Sequence, residues 1–336
     1  MPKALSALCA GIVWLCLVAG APARAECVGQ DMMSELQAAD PAAHRGILAR
    51  ARAIPNAEGR LWKVERAGVA PSYLFGTFHT EQALEWVPDA AWAALAAADR
   101  AIFEVDSTQL EKMKTRAETD PGFMFDAGAV PLSQRVPQAV LQEIRAALTE
   151  RGIPGPMGEQ MRPWALFSLL SFPVCHLRAQ MQGAKAMDQH LQDHVRERNI
   201  PELGLETYEE ALSVFEKAPF EELVSLMSSQ GIRYDREVDA FMTNLALYSR
   251  GEIGAILEFG LHIGAQHAPE ADLRRMQDRF LALLLDQRNR DWMPALEREL
   301  ARGNVFVGVG ALHMIGDQGL VELLRAEGYS VTLAAQ

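Results

Sequence analysis

Apolar and polar positions change rhythm several times along this chain, and each change predicts an element. Residues 26–60 are rich in Ala and Arg and read as a helical lead-in ending near Pro55. From Leu61 the period drops to two: Leu61-Trp62-Lys63-Val64-Glu65 alternates as a half-buried strand does. Gly68 and Pro71 supply a turn, and Tyr73-Leu74-Phe75 returns, which predicts a hairpin that closes on Gly76-Thr77-Phe78-His79. Pro88 and Asp89 open an Ala-rich helix reaching about Ala98, and residues 101–105 form the next short strand of a β-α-β step.

The spacing then moves to three and four. Helices are predicted over residues 138–151, 164–180, 188–198, 208–217, 220–250 and 271–301, with a short strand at 203–206. The C-terminal stretch returns to strand rhythm. Residues 304–309 are a buried type of strand, residues 319–327 a helix capped by Gly328, and residues 329–333 a last strand. No fixed-period repeat or low-complexity linker divides the chain. The expected architecture is α/β: one domain over residues 61–336, with a central mixed sheet, histidines at strand ends and a large helical insertion over about 137–300.

The first residues change the picture of where the chain works. Lys3 precedes an apolar run from Ala4 to Ala19, and Ala23-Arg24-Ala25 fits the small-x-small rule, which predicts a signal peptide cleaved after Ala25. No later stretch approaches the roughly 20 apolar residues a membrane span needs. Cys9 and Cys16 lie inside the leader without lipobox flanks. A periplasmic or secreted destination follows. There an even cysteine count permits one disulfide, expected between Cys27 and Cys175. The formal charge of −12 becomes −14 once Lys3 and Arg24 leave with the leader. So acidic a surface argues against nucleic acid and anionic lipid as partners.

Two segments share a chemical form. Gly76-Thr77-Phe78-His79 and Gly310-Ala311-Leu312-His313 are both Gly-x-x-His at the exit of an apolar strand. A glycine there lets neighbouring groups approach, and a sheet edge is where α/β folds keep their sites. Glu104, set in Ile102-Phe103-Glu104-Val105-Asp106, is a carboxylate among apolar residues and must be paired, hydrogen-bonded or metal-bound. Two imidazoles and one carboxylate make a catalytic type of metal set, with positions left open for water. Pairing of Glu104 with Arg288 is the structural alternative.

Other candidates are weaker. His190 and His194 share a helix face but lack the Glu of HExxH, so they read as a solvated face. His262 and His267 read as loop residues in a Gly-rich break. Gly308-Val309-Gly310 begins like a dinucleotide fingerprint but is cut short by His313 and by the end of the chain. Trp62, Trp86, Trp92 and Trp164 read as core.

Taken together, these segments resemble the TraB/GumN family, which is related to the Tiki metalloproteases, over about residues 61–334. The resemblance rests on Leu61-Trp62-Lys63-Val64 with the first Gly-x-x-His, on Phe103-Glu104-Val105-Asp106, and on Gly183 to Asp188 with Gly204-Leu205-Glu206-Thr207. It extends to Arg288-Asn289 and to Val307–His313 running into Gly328-Tyr329-Ser330-Val331. One position departs: the family's second motif usually carries a glycine where Leu312 stands. The resemblance implies strand ends meeting at one centre and divalent-metal-dependent peptide cleavage. His79, Glu104 and His313 would then be metal ligands. Asp106 and Glu206 would be base or supporting carboxylates, Arg288 an oxyanion stabiliser or a clamp on Glu104, and Asn289 an orienting group. The alternative expectation is a non-enzymatic envelope protein that binds metal, haem or a polysaccharide-related ligand through the same histidines.

Overall fold

The computed structural model describes residues 26–227 and 236–335. The expected leader, with its cleavage after Ala25, lies outside the described residues. Six strands form one mixed sheet: β1 (Leu61–Glu65), β2 (Ser72–Thr77), β3 (Arg100–Phe103), β4 (Glu202–Gly204), β5 (Val305–Gly310) and β6 (Ser330–Leu333), in the spatial order β4-β3-β5-β2-β1-β6. The pairings β2–β5, β3–β5 and β3–β4 are parallel, while β1 is antiparallel to both β2 and β6.

Sequence explains this order. Val305-Phe306-Val307-Gly308-Val309 is a continuous apolar run, and all five residues are buried. Such a strand belongs where both sheet faces are covered, and β5 sits between β2 and β3. β1 alternates buried and half-buried residues, and edge strand β6 buries only Val331. The main core packs both sides of the sheet, with Phe75, Ile102 and Phe306 inside it and Trp292, Leu296 and Leu320 arriving from C-terminal helices.

The helical layers lie largely between β3 and β5. One small core joins helices Gln138–Glu150, Pro163–Leu170 and Phe220–Met227. Another joins Met32–Ala39 and Pro41–Arg52 to Glu237–Ser249 and Ile253–Gly264. Cys27 and Cys175 are disulfide-bonded, with an S–S distance of 2.07 Å. Among the described residues, no helix is long and apolar enough to cross a membrane.

Three expectations need correction. Residues 164–180 are two helices, Pro163–Leu170 and Val174–Met181, because Pro173 has no N–H to continue the first. Residues 220–250 are the helices Phe220–Met227 and Glu237–Ser249, with residues 228–235 outside the described set. Of the two histidines expected in a loop, His262 lies in the last turn of helix Ile253–Gly264, while His267 lies in the turn that follows it. Gly254 in that helix is a close-approach residue: a Cβ would stand 2.8 Å from Ala57 Cβ and 3.0 Å from the Ala51 carbonyl oxygen.

Candidate functional site

Because β2, β5, β3 and β4 are mutually parallel, their C-terminal ends share one edge of the sheet. His79 lies two residues past β2, Glu104 directly past β3, Glu206 two residues past β4, and His313 in the short helical turn Ala311–Met314 after β5. The Leu205 and Glu206 amides both donate to the Glu104 carbonyl oxygen at 3.0 Å, so the two acidic strand ends stay in register beyond the sheet. Helix Arg288–Leu300 faces this edge. Trp292 stands four residues after Arg288 and three after Asn289, so it neighbours both on the helix surface. A wide π-type turn, Ala282–Gln287, leads directly into Arg288, a feature often found at functional positions.

His313 is buried, and its tautomer follows from its neighbours. Asn289 Nδ2 donates to the carbonyls of Gln318 at 2.8 Å and His313 at 3.2 Å, which can only accept. Asn289 Oδ1 therefore faces the ring, and His313 Nδ1–H donates to it at 2.6 Å. The lone pair is left on Nε2, which accepts from Arg288 Nη1 at 3.1 Å. Burial, helped by the Arg288 and His79 charges against the pull of Glu104, holds the imidazole pKa down to about 3. The ring also packs on Trp292, with centroids 4.5 Å apart.

Arg288 joins the two acids. Its Nη2 donates to Glu104 Oε2 at 2.7 Å, and its Nε to the Glu206 carboxylate at 3.1 and 3.2 Å. Trp292 Nε1–H reaches Glu206 Oε2 at 3.3 Å. Burial raises the Glu104 carboxyl, but His313, Arg288, His79 and the Gly310 amide outweigh it and bring it down to about 2. With His313 neutral, the fixed Arg288 charge and the 2.6 Å bond from Gly310 N–H to Oε1 carry that direction. Glu206 moves the other way: burial, with Glu104 as a like charge, raises it despite Arg288.

His79 is different. Its side chain is 57 % exposed. Its Nδ1–H donates to Asp188 Oδ2 at 2.8 Å, and Thr77 Oγ1 donates to the other oxygen of the same carboxylate. The Asp188 charge raises the imidazole pKa to about 9, against some desolvation. His79 Nε2 points back toward Glu104. A Cβ placed on Gly310 would lie 3.4 Å from that nitrogen, 3.2 Å from Glu104 Oε1 and 3.7 Å from His313 Cδ2. The second motif's glycine therefore keeps open the space the three groups surround.

Of the residues singled out from sequence, the structure brings together His79, Glu104, Glu206, Arg288, Asn289 and His313. It leaves Asp106 out: its carboxylate caps helix Ser107–Thr119 by accepting from Gln109 N–H at 2.9 Å. An acid just before a helix is most simply used on the unpaired amides of the first turn, and so it is here. Glu104 is both near the histidines and paired with Arg288. His194 is not on a solvated face, since it packs on Trp92 with ring centroids 5.2 Å apart.

Sequence reading assigned no role to Asp188 or Trp292. Trp292 carried a signal, the helical spacing from Arg288 and Asn289. Asp188 enters the sequence reading only as a helix start and as the end of the Gly183–Asp188 segment, and nothing local ties it to a histidine 109 positions earlier.

Fold and site thus define an α/β protein whose polar centre lies at the C-terminal edge of four parallel strands. A family model described as the TraB/PrgY/gumN family matches residues 60–333, and the chain belongs to that family. Among curated proteins, none matches it.

Proposed function

We propose that the chain is an exported hydrolase that uses water to cleave peptide-like bonds, with a divalent ion held by His79, Glu104 and His313. The observation that carries this is the orientation of the two rings. Each histidine donates Nδ1–H to a fixed acceptor, Asp188 or Asn289, and turns Nε2 toward the surroundings of Glu104. That is the supporting shell of a metal-ligating imidazole. Charge supports the same reading. Asp188, Glu104 and Glu206 are three carboxylates beside two cations, Arg288 and protonated His79. Exchanging the His79 proton for a divalent ion brings the group to neutrality.

Among the described residues, no three such side chains are already gathered tightly enough to hold an ion. His313 Nε2 is engaged by Arg288 Nη1, so an ion competes with Arg288 for that lone pair. A bound divalent ion would acidify a water and polarise a carbonyl. Glu206 keeps Arg288 in the site whichever partner its Nη1 takes. Arg288 then stands beside the place where negative charge develops on a cleaved carbonyl. The expected leader and the Cys27–Cys175 bond support work in an oxidising compartment outside the cytoplasm.

Metal content of the mature protein, measured beside His79→Ala and His313→Ala with peptide cleavage followed with and without chelator, tests this. One divalent ion per chain, lost in both variants while the fold persists, is expected. Metal-free protein that cleaves peptides equally well in chelator would sink the metal-dependent reading.

A further inference from the structure

A second feature lies against this centre. A cavity of about 280 Å³ opens between helices Pro163–Leu170, Ile253–Gly264 and Glu270–Leu281, lined mainly by apolar side chains such as Leu170, Phe259, Ile263 and Phe280. Two of its lining residues belong to the site's own framework. Leu312 directly precedes His313, and Leu284 gives its carbonyl to Arg288 Nη1 at 2.9 Å. The cavity thus borders the site through two separate elements, one residue before His313 and at the carbonyl that Arg288 holds.

We propose that this cavity receives a large apolar side chain of the molecule cleaved, so that the substrates are peptides with Leu, Met or Phe beside the scissile bond. The proposal rests on the hydrolase reading above. Size supports the occupant: a dry apolar cavity of about 150 Å³ already accepts benzene, so the larger space here takes a branched aliphatic or aromatic side chain. Its lining leaves water few partners, which favours an apolar guest. Ser171, on the exposed rim, marks an accessible side. Leu312, the residue before His313, is part of this apolar lining.

The test uses the mature protein, Ser171→Trp and Leu257→Trp, which enter the cavity from the end of one helix and from within another, and His313→Ala. Binding of the neutral fluorophore N-phenyl-1-naphthylamine is titrated, and cleavage sites in a mixed peptide digest are read by mass spectrometry. The fluorophore should bind the parent and His313→Ala alike and weaken about tenfold or more in at least one correctly folded Trp variant. Parental cleavage should fall beside Leu, Met or Phe, and the same variant should lose those sites by about 10- to 100-fold while retaining sites beside small residues. No fluorophore binding, binding untouched by both Trp variants, or cleavage indifferent to flanking residues would overturn the proposal. Fluorophore binding as expected with no cleavage of any peptide would instead overturn the hydrolase reading, leaving an apolar-ligand cavity without a substrate role.

Discussion

The two Gly-x-x-His segments have the same form and opposite characters. His313 is buried against Trp292, neutral, and held between Asn289 and Arg288. His79 is more than half exposed and made cationic by Asp188. Their glycines differ as well. A Cβ on Gly76 would strike Ala311 Cα at 2.8 Å, so that glycine serves packing between the two motifs. A Cβ on Gly310 would crowd only the side chains of the site. The bracing differs too. His313 is fixed by one helix close in sequence. The turn after His79 is fixed from afar: buried Thr80 meets His176, and Gln82 exchanges two hydrogen bonds with Cys27, which is bonded to the neighbour of His176. A short motif thus fixes a ring's position on the sheet edge. Its protonation belongs to whatever the fold brings beside it.

The largest effect should come from the link between the two sides. Arg288→Met leaves Glu104 and Glu206 buried without their cation, a loss of about 3–5 kcal/mol in denaturant unfolding. Because the uncompensated carboxylates then have raised folded pKa values, the deficit should shrink as pH falls and both protonate. A deficit that does not change with pH would mean Arg288 acts mainly through packing on Trp292.

Reduction of the Cys27–Cys175 bond should come next, at about 2–4 kcal/mol, since it closes a long loop. Amide exchange should rise around residues 79–82 more than around residues 311–314. Equal loosening of both turns would contradict the difference in bracing.

The paired glycines give a smaller and sharper contrast. Gly76→Ala should cost about 1–3 kcal/mol by overpacking backbone against Ala311. Gly310→Ala should melt close to the parent yet lose metal binding and turnover, because the added methyl enters the space beside Glu104 and His79. Matching losses of stability in the two variants would erase the distinction.

The smallest effect on stability, and the clearest on titration, concerns pH. His79 has a folded pKa raised above the ordinary value of about 6.5, so its contribution is full below that value and is lost as pH rises through about 9. Exposure screens it, and the contribution should be small. His313 and Glu104 have depressed folded pKa values, about 3 and about 2, so their contributions are present at neutral pH and disappear on acidification. Asp188→Asn should return the His79 imidazole NMR titration toward its ordinary midpoint and leave His313 neutral down to acid pH. Movement of both midpoints together would show one coupled site rather than two environments.

Much of the fold was legible because strand and helix periods are local. Residues 61–65, 73–79, 101–105 and 304–309 announced strands that the sheet contains, with boundaries shifted by a residue or two. That Glu104 lies just beyond β3, and not within it, is such a shift, and it matters because a residue past the strand end is free to turn into the cleft. The break at Pro173 is equally local, although the apolar spacing on either side of it runs on as if through one helix. The helix around His262 could not be read so simply, since its glycines look like loop until Gly254 is seen packed on Ala57.

What the sequence determined by itself is therefore the set of strands, the two glycine-histidine turns, the acid beside them and the cysteine pair, all of which follow from short-range pattern and residue chemistry. Tertiary structure alone decided that β5 lies between β2 and β3, which makes four parallel strand ends converge. It also decided that Asp188 lies beneath one histidine and Asn289 beneath the other. Partners on different elements, 109 residues apart for His79 and Asp188 and 24 for His313 and Asn289, leave no periodic trace, and a side chain's charge is set by the few ångströms around it, which exist only once the chain has folded.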